Sequence, residues 1–302
     1  MSAPATVAAG PVPHPHGGPV PGRCLVVGVV SVTPDSFSDV GKSFHPEQAV
    51  ERGMELMRLG ADIIDVGGQS TRPGAAPVPL AEERRRMLPV VTALAGAGAF
   101  VSIATVRARA AEAAIEAGAG MVTDMSGGLA DPAMLPLLAG YKVPYVVMHW
   151  WGHNIAAVPR VADRTVVAEV MAGLTRRIAA ATAAGIALER LIVDPGLGFA
   201  RTDEHNWQLL ADLGAFHQLG RPVLVGPARP EGPAGKRDGV SAAVAVLAAA
   251  AGAWGVRAHD AGTALDAVRV VAAVRDRSVP SAPAVVPVAI GWVAGKSPVH
   301  IE

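Results

Sequence analysis

Eight short aliphatic and β-branched runs recur along this chain, each separated from the next by a polar or helical stretch. That alternation restricts the fold more than any other feature. The runs are CLVVGVVSV (24–32), DIIDVGG (62–68), AFVSIAT (99–105), GMVTDMSGG (120–128), PYVVMHW (144–150), LIVDPGLG (191–198), PVLVGPA (222–228) and WGVRAHD (254–260). They are near-continuous in apolar character rather than strictly alternating, which marks strands covered on both faces, as in a parallel sheet. Helical stretches such as 46–60, 106–118, 165–185 and 263–276 lie between and after them. Three of these end at Gly60, Gly118 and Gly185, where the left-handed conformation stops a helix. Eight such repeats predict an α/β fold of the (β/α)8 TIM-barrel type, a single domain over residues 23–276. A doubly wound open sheet is the alternative, and the lack of a nucleotide fingerprint favours the barrel.

Two segments fall outside that rhythm. Residues 1–22, rich in Pro, Gly and Ala, read as a disordered extension, and 277–302 as a C-terminal tail. The N-terminus has no basic segment followed by an apolar one, so it is not read as a signal peptide. His14 and His16 read as parts of a solvated tail rather than as metal ligands. The most apolar run, 240–256, is Ala-rich, interrupted by Gly and short for a bilayer, so no membrane partner is expected. Lys plus Arg and Asp plus Glu both number 26, which removes the electrostatic case for nucleic acid. The lone Cys24 excludes a disulfide framework and suits a reducing, cytoplasmic setting.

In a barrel of this type the active site lies at the C-terminal ends of the strands. The polar residues concentrate there: Thr33 and Asp35 after the first run, Asp65, Gln69, Ser70, Thr71 and Arg72 after the second, and Thr123, Asp124 and Ser126 after the fourth. His149, Asp194, and the group Arg257, His259 and Asp260 follow at the fifth, sixth and eighth. Singly, each has an ordinary explanation as a helix cap or a satisfied buried polar group. On one rim together they point to a ligand site. The segment 226–239 is glycine-rich and cationic, but Lys236 is not followed by Ser or Thr, so a phosphate-binding P-loop is rejected. A carboxylate at Asp194 ringed by Arg72, Arg257, His149 and His259 suits a planar heterocycle with an N–H edge and an anionic group.

The segments SVTPDSFSDVG, GADIIDVGGQSTRPGA, VTDMSGG, PYVVMHWWG, IVDPGLGFART, GRPVLVG and VRAHD together resemble the dihydropteroate synthase family, in order from about Leu25 to Asp276. The resemblance implies condensation of a dihydropterin pyrophosphate with p-aminobenzoate or a related arylamine, pyrophosphate leaving with Mg2+ assistance. Carried over by position, it implies that Asp194 grips the pterin edge and that Thr71 and Arg72 lie near the arylamine and phosphate. It assigns the pyrophosphate to Arg257 and His259 and places Asp35 and Phe37 on a closing first loop. Thr123, Met148, Phe199 and Gly226 complete the implied substrate pocket. A homodimer through outer helices is implied as well.

Departures from the family pattern cluster at the ligand. Ser31 replaces an Asn that assists magnesium, leaving a weaker donor for a hard cation. Ala104 replaces a pterin-contacting Asp, and Thr123 replaces an Asn that reads the pterin. Ala228, Arg229 and Pro230 stand where the family has Ser-Arg-Lys, while Arg201 keeps a cation at the sixth strand. Losses of this kind cost roughly 1–3 kcal/mol each when a buried partner is left unpaired. Beside a remote scaffold reading, three follow: a synthase with a drifted pocket, a paralogue turned to another condensation or to binding alone, and a pterin-binding methyltransferase domain. The last ranks lowest, because TPDSFSD and STRPGA belong to the synthase loops.

Overall fold

A computed structural model of the protein describes residues 22–34, 45–70, 76–150, 165–199, 202–226 and 237–277. Nearly all of 1–22 and 277–302, with Asp35, Phe37, Thr71, Arg72, Arg201, Ala228, Arg229, Pro230 and Lys236, lies outside the described residues.

Among the described residues eight strands alternate with eight α-helices. The strands are β1 (Leu25–Ser31), β2 (Ile63–Gly67), β3 (Val101–Ala104), β4 (Met121–Asp124), β5 (Tyr145–Met148), β6 (Leu191–Asp194), β7 (Leu224–Val225) and β8 (Gly255–Ala258). The helices are α1 (Pro46–Leu59), α2 (Leu80–Gly96), α3 (Ala108–Glu116), α4 (Met134–Gly140), α5 (Val166–Ala183), α6 (Asp203–Ala211), α7 (Arg237–Ala250) and α8 (Ala261–Arg275). Each predicted run contains one strand, shorter than the apolar stretch. Gly60, Gly118 and Gly185 all have positive φ, the left-handed stop the sequence suggested.

All ladders are parallel, in the order β6-β5-β4-β3-β2-β1-β8-β7. The ring closes between β6 and β7 through a single bridge, Val193 with Val223, and a 2.9 Å bond from the Val193 N–H to the Pro222 carbonyl. This makes the expected barrel.

Alternation along each strand divides the core in two. Outward residues such as Val26, Ile64, Val66, Ile103, Val147 and Val193 pack under the helices in one large cluster. Inward residues form a small plug of Leu25, Val27, Ile63, Met121, Val146, Ile192 and Leu224, with Phe100 and Trp254 at its edge. Fully burying an aliphatic side chain of this size stabilises by about 1.5–3 kcal/mol, an upper figure for a realistic unfolded chain. The plug fills the lower barrel, so a ligand has access from the upper end only.

Candidate active site

One step above the plug, the inward side chains change character. On the even strands Ile63, Met121 and Ile192 are followed two residues later by Asp65, Thr123 and Asp194, and Gly255 by Arg257. Side chains from alternate strands share a layer in such a barrel. Asp65, Thr123, Asp194 and Arg257 form that layer and all are buried, Asp194 with no exposed surface.

Arg257 binds both acids. Its Nη2 donates to Asp194 Oδ2 at 2.7 Å, and its Nη1 reaches Asp65 Oδ2 at 3.4 Å. The other oxygen of Asp194 accepts the Gly196 N–H at 2.8 Å. Thr123 Oγ1 shares a 3.0 Å hydrogen bond with Ser102 on β3. Burial pushes the Asp194 carboxyl above its ordinary pKa, opposed by the Arg257 charge and the Gly196 N–H. Among the described residues, Asp65 Oδ1, Arg257 Nε and Thr33 Oγ1 are buried without a hydrogen-bond partner. Unfilled buried polar atoms are costly, and here two of them flank the same ion pair.

The next inward positions on the odd strands are Val29, Ala104, Met148 and Gly226. Two of these are small. A β-carbon at Gly226 would lie 3.5 Å from Arg257 Nη2 and 3.6 Å from Asp194 Oδ2, so the absent side chain leaves space directly over the pair. Ser31 is half-buried at the end of β1 and Ala104 half-buried at the end of β3. Phe199, in the turn after β6, packs against the outer apolar cluster. His259 follows β8, its carbonyl accepting a 2.9 Å bond from Arg52 of α1.

Three rim residues serve other ends. His149, one residue past β5, continues the odd numbering of the outward Tyr145 and Val147. It faces α5, where a β-carbon at Gly173 would come within 2.6 Å of its Cε1. Asp124 also faces outward, accepting from Ser126 N–H and Oγ, Gly128 N–H and the Tyr145 hydroxyl at 2.7–2.9 Å. It organises the turn after β4, with Ser126 as its partner. The sequence reading grouped all three with the ligand rim; strand parity separates them. Asp65, read from the sequence as a rim residue, lies on the inner wall paired with Ser102, a residue the sequence does not single out.

The second loop is anchored from outside. Buried Glu83 on α2 accepts from Thr105 Oγ1 at 2.6 Å and from Arg107 at 2.7 Å, while Arg86 donates to the Gly68 carbonyl at 3.2 Å. The turn after β2 is thereby tied to α2 through Gly68, and α2 to the segment after β3.

Comparison with known proteins agrees with this geometry. Residues 27–259 match the family described as pterin binding enzyme. The dihydropteroate synthase of Mycobacterium leprae is 44% identical over 265 residues, covering 82% of this chain and 92% of that protein. Dihydropteroate synthase of Xanthomonas albilineans, solved with 4-aminobenzoic acid, superposes with a TM-score of 0.76 at 41% identity, covering 85% of this chain and 94% of the other. The same enzyme in complex with 7,8-dihydropteroate gives 0.71 at 37% identity, covering 85% and 94%. A barrel with a buried carboxylate–guanidinium layer at the C-terminal ends of its strands, matched across most of its length by these enzymes, places the chain in the pterin-binding enzyme family, among the dihydropteroate synthases.

Proposed function

We propose that the protein is a transferase that condenses a dihydropterin pyrophosphate with p-aminobenzoate or a related arylamine. The arylamine nitrogen attacks the pterin's methylene carbon, the C–O bond to pyrophosphate breaks with its electron pair leaving on oxygen, and the nitrogen's proton passes to solvent. The observation that carries this reading is the Asp194–Arg257–Asp65 layer with its unfilled polar atoms beneath the space at Gly226.

In this reading the Asp194 carboxylate accepts the ring's N–H edge, as a buried anion suits a charge-assisted pair. Met148 and Gly226 line the ring's slot, and Thr123 borders it. Arg257 and His259 serve the pyrophosphate, and electrostatic stabilisation of that departing anion supplies most of the rate. Asp35, Phe37, Thr71 and Arg72 complete the mouth from the two loops. Among the described residues no three His, Cys, Asp or Glu side chains converge on a metal position, and Ser31 brings one neutral hydroxyl. In this reading Mg2+ enters with the substrate's pyrophosphate, Ser31 being a weak donor to it.

Exposed Val246 and Leu247 on α7 with Val270 and Val274 on α8 support a homodimer through those helices. Among the described residues no helix is long and apolar enough to cross a membrane. The division into extension, barrel and tail at 22/23 and 276/277 is retained as part of the proposal.

The deciding assay mixes purified protein, dihydropterin pyrophosphate, p-aminobenzoate and Mg2+ and measures dihydropteroate. Absence of product at high enzyme concentration overturns the reading. A second reading, a paralogue with another aryl or heterocyclic partner, is favoured by one observation: on β3 and β4 the inner wall offers the Ala104 methyl, paired with Thr123, and a Thr123 hydroxyl already bonded to Ser102. It expects Ala104→Asp with Thr123→Asn to raise pterin affinity; unchanged calorimetric binding rejects it.

A further inference from the structure

The buried layer holds two carboxylates for one guanidinium. Asp194 is well compensated: one oxygen takes the Gly196 N–H at 2.8 Å and the other takes Arg257 Nη2 at 2.7 Å. Asp65 is not. Its contact with Arg257 Nη1 is long at 3.4 Å, and its second oxygen has no partner among the described residues, although only 2% of the residue is exposed. A buried anion left this way is unfavourable unless something completes its surroundings.

A ring edge with two parallel N–H groups needs both Asp194 oxygens. At Oδ2 it competes with Arg257 for the same acceptor, and its donors crowd the guanidinium. The guanidinium already bridges the two acids, and its planar fork matches a carboxylate two-to-two. Among the described residues, Asp65 Oδ1 is the carboxylate oxygen of the layer still open to it.

We infer that Asp65 is a positioning residue that receives Arg257 when a ligand claims Asp194. Resting on the synthase reading above, this deepens it: each carboxylate then has one cationic or donor partner, the ligand on Asp194 and Arg257 on Asp65. In the free protein one guanidinium serves both acids. Ligand binding supplies the donor that the layer lacks. The exchange needs no backbone movement, because both acids lie within reach of one side chain.

The test measures 7,8-dihydropteroate affinity by calorimetry for the parent, Asp65→Asn, Arg257→Gln and the double variant, each with a thermal melt. Asp65→Asn leaves Arg257 with Asp194 as its single charged partner, so affinity is expected to fall at least about tenfold, the scale of one charge-assisted hydrogen bond. The melting temperature stays equal or rises, since an undercompensated buried charge is gone; a purely structural Asp65 lowers it. In the Arg257→Gln background the same Asp65→Asn change has no further effect, as a double-mutant cycle requires of a residue acting through another. Should Arg257→Gln fail to fold, Arg257→Lys replaces it, because a single ammonium cannot bridge both acids. Unchanged affinity in Asp65→Asn, or an equal loss in both backgrounds, overturns the inference and leaves the synthase reading standing. No binding by the parent protein removes both.

Discussion

Gly226→Ala isolates the ligand site from the fold. Gly226 has a φ that any residue adopts, so an added methyl carries no backbone strain. Its β-carbon would sit 3.3 Å from the Leu197 carbonyl, 3.5 Å from Arg257 Nη2 and 3.6 Å from Asp194 Oδ2. The first contact asks for a shift of a few tenths of an ångström; the other two are ordinary. Overpacking costs run about 1–3 kcal/mol, and this geometry belongs at or below the low end. The ligand faces a harsher constraint. A donor on Asp194 Oδ2 must come within about 2.7–2.9 Å, and the methyl occupies the approach. Losing one charge-assisted hydrogen bond removes about 1.5–3 kcal/mol, or about 10- to 100-fold in affinity. Calorimetry with 7,8-dihydropteroate and a melt on the same samples give both quantities. Parent-like affinity with a parent-like melt refutes the placement of the ligand over the Asp194–Arg257 pair.

Three further outcomes are expected. Tyr145→Phe deprives buried Asp124 of one of its four donors and lowers stability by about 1–2 kcal/mol by denaturant titration, while dihydropteroate binding holds because Asp124 faces away from the pocket. Gly173→Ala drives a methyl into the His149 ring and costs about 1–3 kcal/mol; adding His149→Ala restores most of it, and a failure to restore rejects the steric account. Asp194 has a folded pKa above its unfolded value, so the native state holds a proton that the unfolded chain has lost, and its contribution to stability falls as pH rises from about 4 through the raised pKa. The melting temperature of Asp194→Asn minus that of the parent therefore grows with pH across that window, and a flat difference contradicts the raised pKa.

Apolar runs announced the barrel because parallel strands are buried on both faces, and that signal survives without any contact information. It also blurred the ends. PVLVGPA suggested a seven-residue strand, whereas β7 spans Leu224–Val225, since backbone pairing rather than hydropathy sets a strand's length. The rim was legible as a set and not as individuals. Asp194 and Arg257 point inward and His149 and Asp124 outward by one-residue differences in parity, which a continuous apolar run does not display. Ion pairing was the least legible: Arg257, expected to hold an anion, rests against two acids 63 and 192 positions away in sequence. Helix α2 carries Pro89 in its interior, a residue that argues against a helix from sequence, yet packing of Met87, Val90, Val91 and Leu94 beneath it keeps the helix whole.

The single bridge joining β6 to β7 has a kinetic consequence. Everywhere else at least two register pairs tie neighbouring strands, but here one pair and one Pro222 carbonyl close the ring, and Pro222 has no N–H to return. Local opening is least costly where fewest backbone bonds must break. Amide exchange is therefore fastest, among the core strands, at this suture, and Asp194 and Gly226 lie on its opposite lips. The molecule's breathing and its grip on the ligand share one joint, so a bound ring that spans the suture slows exchange there before it slows it anywhere else.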